Sequence, residues 1–152
     1  MITFRNITEA GITSALIRFW SRSAYSHSEV WCPPHAVGNK EAGWLGARFS
    51  GGVQVRPPDY CVPTASDIVH VSLDVQEELL FWDFLKSQLG KPYDWLAIVS
   101  FVVRFRMRLK NHWFCSELMN SAMEATKHYP SIASDLVTPG DFDNYLHLYN
   151  AR

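Results

Sequence analysis

Cys115 stands in the run His112-Trp113-Phe114-Cys115-Ser116-Glu117-Leu118-Met119, and Leu118, Met119, Ala122, Met123 and Ala125 recur after it at helical spacing. A thiol at or near such an N-cap faces free backbone N–H groups and the positive end of the helix dipole. These favour the thiolate and can hold a developing oxyanion. That is the setting of a cysteine nucleophile, although a free cysteine there can equally be a small buried hydrophobe. A nucleophile needs a base. His27, at the start of a strand-like run over residues 26–31, is the best placed histidine, and Glu29, two residues on, emerges on the same strand face. A carboxylate there orients the imidazole and favours its protonated form; the same spacing also suits the wet side of a half-exposed strand. His35, His70, His112, His128 and His147 are the other possible bases. His112 precedes Cys115 by three residues, on an approach loop where geometry is less controlled.

Three segments together resemble a known family: Tyr25-Ser26-His27 at the head of a strand, Gly90-Lys91-Pro92-Tyr93-Asp94-Trp95 after a helix, and Phe114-Cys115-Ser116-Glu117-Leu118 at the head of another. They are similar to the circularly permuted branch of the NlpC-type, papain-like cysteine hydrolases, in which the histidine precedes the cysteine. The YiiX-like and YebB-like bacterial proteins and small proteins of tailed phages share the likeness. The resemblance implies Cys115 as nucleophile, His27 as general base and Tyr93 as a hydroxyl beside the cysteine that helps to hold the oxyanion. It implies no cofactor. The chain departs from the family at Leu45-Gly46-Ala47, where a polar residue is expected to orient the histidine and Gly46 has no side chain. Either the site is a dyad or Glu29 takes the third role. Glu117 reads as a structural residue at the helix terminus.

The elements that must position these groups follow from the punctuation of the chain. Residues 9–20 read as a short helix with Ile12, Ala15, Leu16, Phe19 and Trp20 as its apolar face. Cys32-Pro33-Pro34 ends the strand that begins at Ser26. Residues 43–49 and 53–55 read as a hairpin around Ser50-Gly51-Gly52, and residues 67–73 as a further strand. Residues 75–89 form an amphipathic helix stopped by Gly90, residues 95–105 a more apolar helix, and Thr138-Pro139-Gly140 opens a short helix through Leu146. Helix, strands, then helices is the order of a segregated α+β domain. With the resemblance, the expected fold is permuted papain-like: a single domain over residues 1–152 whose central antiparallel sheet carries His27 and packs against the helix headed by Cys115.

Composition narrows the function classes. At 152 residues, 47% hydrophobic and 19% charged, the chain has an ordinary core-forming capacity. A net charge of -1 gives no general attraction to nucleic acid. The four cations of residues 104–110 read as a solvated face rather than an anion-binding rim. Three cysteines with no Cys-x-x-Cys pair, and scattered histidines, offer neither a redox motif nor a metal site. The N-terminus lacks a secretory pattern and the longest apolar run is too short to span a bilayer, so the expected location is cytoplasmic. The expected reaction is acyl transfer to water through a thioester. The expected substrates are small peptides or peptidoglycan fragments, with acyl lipids behind them. The rivals are a catalytically weak binding or assembly protein on the same fold, and an acyltransferase. The sequence carries no signal for an oligomeric state.

Overall fold

A computed structural model describes residues 1–94, 96, 112–127 and 137–150. Five strands, β1 (Ile2–Thr8), β2 (His27–Cys32), β3 (Gly43–Arg48), β4 (Gly52–Arg56) and β5 (Ala65–Val71), form one antiparallel sheet in the order β4-β3-β2-β1-β5. Among the described residues four helices accompany it: α1 (Ile12–Ser21), α2 (Val75–Gln88), α3 (Cys115–Ala125) and α4 (Pro139–Asn150). The architecture is α+β, as the order of elements predicts. Apart from residue 96, the expected helix over residues 95–105 lies outside the described residues, as does the basic stretch 104–110.

The structure corrects the sequence reading at its first element. Residues 2–8 form the strand between β2 and β5, where the sequence reading has no strand. Register then sorts the side chains. Phe4 lies opposite Val30 and Val69, and Val30 opposite Leu45, so these four apolar residues share one face. Phe4 meets Phe81 of α2 and Phe142 of α4 edge-on, at ring-centroid distances of 5.8 and 5.3 Å. Since α3 packs beside α2 and against β2 and β3, the three later helices cover this apolar face. Arg5 lies opposite Glu29 on the other face, which therefore carries buried charge.

Local chemistry fixes the ends. Asp74 caps α2 with a full capping box: its side chain accepts from the Glu77 N–H, and the Glu77 side chain accepts from the Asp74 N–H. Thr138 and Asp141 make the equivalent reciprocal pair at α4, which runs four residues beyond the expected end. The strand expected over residues 67–73 occurs two residues earlier, as β5. At the β3–β4 turn Gly52 has φ of +63°, and a Cβ on it would lie 2.2 Å from the Lys91 carbonyl oxygen. Only glycine lets residues 90–93 run against β4, where Val53 N–H donates to Lys91 O and Gly90 N–H to Val53 O. Tyr93 then bridges in parallel to Trp113, which brings Phe114 and Cys115 back to the sheet.

The first helix turns its apolar face outward. Its buried residues are Ser14 and Ile17, while Ile12, Ala15, Leu16, Phe19 and Trp20, its apolar face, are exposed. Periodicity identifies an apolar face but not what lies against it.

Because Phe4 is fully buried between two helices, Phe4→Ala is expected to cost about 3–5 kcal/mol. Urea unfolding measures it; a loss below about 1 kcal/mol would contradict β1 as the strand on which the helices close.

Candidate active site

Glu29 is 1% exposed, and its carboxylate is the acceptor at the centre of the polar face. Arg5 donates to Oε1 through Nε at 2.8 Å and also through Nη2. Tyr60 donates its hydroxyl to Oε2 at 2.5 Å, and His27 Nε2 lies 3.2 Å from the same oxygen. Burial pushes the Glu29 carboxyl up, but the bonds from His27, Tyr60 and Arg5 outweigh it and hold the pKa at about 2. An ionised Oε2 requires a proton on Nε2, so neutral His27 is the Nε2–H tautomer with a bare lone pair on Nδ1. Nδ1 makes no hydrogen bond among the described residues.

Gly46 has a different meaning in the fold from the one its sequence position suggests. A Cβ built on it would lie 3.1 Å from Glu29 Cβ, 3.3 Å from His27 Nε2 and 3.4 Å from Cε1. The imidazole packs over the bare glycine, and the polar partner expected on β3 comes instead from Glu29 on the histidine's own strand. Glu29 was expected either to orient the ring or merely to line a wet face; it is buried and bonded to the ring. Arg5 and Tyr60, which complete the network, went unrecognised in the sequence. Arg5 belongs to the strand that was missed, and Tyr60 to the loop after Pro57-Pro58 that folds back over this face. Arg5 also stacks on Trp44, its guanidinium 4.0 Å from the ring centroid.

Cys115 is the first residue of α3, with Phe114 as N-cap. Its sulfur lies 4.0 Å from the Ser26 carbonyl oxygen. It thus rests on the backbone carbonyl just before His27. Strand alternation sends the His27 ring to the polar face while α3 covers the other, so thiol and imidazole flank the first residues of β2 from opposite sides. Among the described residues no hydrogen bond joins them. Burial works against the expected thiolate. At 1% exposure, burial pushes the Cys115 thiol up to about 11, only partly offset by the N–H groups and Arg48. Burial likewise lowers the His27 pKa against the pull of Glu29, so the resting pair is neutral thiol and neutral imidazole. Tyr93 lies in the electrostatic range of Cys115 with its ring against Phe114, and burial holds its hydroxyl protonated.

A pocket of about 290 Å³ opens at this end of the sheet. Its wall includes His27 and Arg48 from the polar face, Ser26 and Ala47 from the other, and Tyr93; Cys115 is not part of it. Arg48 pairs with Glu9, also on the wall, at 2.8 Å.

Elsewhere, folding gathers what the sequence scatters: Asp67, Asp143 and His147 bring one ligand atom each within 4.8 Å of the others. These are donor types that a divalent cation accepts, where the sequence reading expected no metal site. Internal bonds already occupy them, His147 Nε2 to Asp67 at 2.6 Å and Asn6 Nδ2 to Asp143 at 2.7 Å. Burial, then the neighbouring Asp67 charge, raises the Asp143 pKa.

No protein-family model matches the chain, and no curated protein matches it significantly.

With Glu29 held near 2 against an ordinary 4.5, its contribution to stability is complete above about pH 4.5 and is lost as pH falls toward 2. Thermal unfolding is expected to show this acid limb in the parent. In Glu29→Gln the limb shrinks and stability at pH 7 falls, because Arg5 is left buried without its partner charge. An undiminished acid limb in the variant would assign the sensitivity to other carboxylates.

Proposed function

We propose that the protein is a cysteine-dependent acyl hydrolase of the permuted, papain-like NlpC type, with Cys115 as nucleophile, His27 as base, and Glu29 as the group that orients His27. One observation carries the reading. Cys115 heads a helix with its sulfur 4.0 Å from the backbone carbonyl that precedes a histidine whose ring is held by a buried carboxylate.

The chemistry follows from the neutral resting pair. Attack requires the sulfur to leave the Ser26 carbonyl and enter the pocket at the strand end, whose wall takes residues from both sheet faces. As the S–C bond forms at an amide or ester carbonyl, the thiol proton passes to Nδ1 of His27, and the Glu29 carboxylate stabilises the resulting imidazolium. The oxyanion finds donors in the backbone N–H groups of the first turn of α3 and in the protonated Tyr93 hydroxyl. The imidazolium returns its proton to the leaving amine or alcohol as that bond breaks. Water, deprotonated by His27, then cleaves the thioester and regenerates the thiol. Small peptides, peptidoglycan fragments and acyl lipids all carry such carbonyls.

A second reading, a binding or assembly module on the same fold, is favoured by a specific observation: Cys115 is 1% exposed and lies off the pocket wall. Turnover of a panel of peptide, ester and lipid substrates separates the two. The hydrolase reading expects Cys115→Ala and His27→Ala each to lower kcat/KM by at least about 100-fold, and Glu29→Gln by about 10–100-fold. Turnover equal in parent and Cys115→Ala would leave the binding module.

The pH profile is a separate expectation. For a neutral pair, kcat/KM rises as His27 loses its proton, with a pKa below 6.5, and holds to about pH 9 because no imidazolium has to survive in the resting enzyme. A bell falling between about pH 7 and 9 would instead indicate a preformed thiolate–imidazolium pair.

A further inference from the structure

Helix α1 is amphipathic in the reverse sense from the other helices. At about 100° per residue, Ile12, Ala15, Leu16, Phe19 and Trp20 span an arc of roughly 140°, diametrically opposite the Ser14 and Ile17 side that packs on the protein. The arc faces away from the body: Ile12 is 80%, Phe19 72%, Leu16 46% and Trp20 40% exposed. The helix carries no acidic residue; its one charge, Arg18, borders the arc, and Arg22 follows at the C-cap. We infer that α1 is a docking helix for an anionic lipid bilayer, lying in the interface with its apolar arc among the acyl chains and Arg18 and Arg22 at the phosphates.

Size, charge and position favour a bilayer over a second copy of the chain. Ten residues give a helix about 15 Å long, and one face of it falls well short of the roughly 800 Å² per partner that a stable dimer buries. A bilayer needs only a shallow apolar stripe with cations at its edge, and Trp and Phe suit that boundary. The stripe also continues to the candidate site. Ile12 stands on one wall of the pocket and Phe49, 77% exposed on the β3–β4 turn, on another, so the pocket opens between two outward apolar groups. On the acyl-hydrolase reading above, this geometry names the substrate class: an acyl lipid drawn from the bilayer, whose acyl carbon exchanges its alcohol or amine for water. That clause rests on that reading; the docking surface does not.

The test is co-sedimentation of the full-length Cys115→Ala protein with phosphatidylcholine vesicles, with and without phosphatidylglycerol. The docking helix predicts binding to the anionic vesicles that weakens with salt. It predicts an affinity loss of about tenfold or more in Ile12→Ser/Phe19→Ser, and a smaller loss with reduced salt dependence in Arg18→Gln. All three positions are exposed, so unchanged melting temperatures certify folding. No binding by the parent, or equal binding by the double variant, overturns the proposal. So does a concentration-dependent dimer in sedimentation equilibrium that the double variant abolishes, since a second copy then covers the face. Fatty acid released from the same vesicles by protein retaining Cys115 supports the substrate class. Vesicle binding with peptide turnover but no release rejects that class alone, whereas no turnover of any substrate rejects the hydrolase reading and leaves docking intact.

Discussion

The buried carboxylate of Glu29 is the constraint on which the polar half of the molecule depends. A charge that is 1% exposed is tolerated only if its oxygens are satisfied, and Arg5, Tyr60 and His27 satisfy them from three parts of the chain. Arg5 requires β1 beside β2, which makes the first residues of the chain part of the candidate site. Tyr60 requires the loop after Arg56 to fold over the sheet. His27 requires bare space on β3, which Gly46 supplies. Removing any one of these leaves a charge or donor without its partner in a place that water reaches poorly.

The sheet thereby separates two kinds of burial. One face is covered by α2, α3 and α4 and holds Phe4, Val30, Leu45, Phe81 and Phe142 in a continuous apolar core. The other holds ionised and aromatic groups under a loop. Cys115 belongs to the first and His27 to the second, and they approach each other only around the start of β2, where the pocket joins the two faces. Burial on both sides explains why neither group is charged at rest, and why chemistry at this site requires movement of the sulfur rather than a standing ion pair.

Much of this was legible in the sequence because it is written in local periodicity and punctuation. The helix beginning at Cys115, the strand ended by Cys32-Pro33-Pro34, the glycine-turned hairpin and the amphipathic helix stopped by Gly90 all carry their own signals. The pairing of His27 with Glu29 was accessible from alternation. What eluded the sequence is long-range. Strand β1 interrupts its apolar pattern with Arg5 and Asn6, whose partners Glu29 and Asp143 are distant in the chain, so it does not read as a buried strand. For α1 the pattern gives a face but no direction. Gly46 looks like a missing catalytic side chain until the imidazole is seen lying over it.

The tautomer and charge of His27 test this account most directly, and long-range ¹H–¹⁵N correlation spectroscopy of the imidazole reads both. At pH 7 the account predicts a neutral ring with its proton on Nε2, held by Glu29, and an unprotonated Nδ1. A ring protonated on Nδ1 alone, or an imidazolium at that pH, would contradict it.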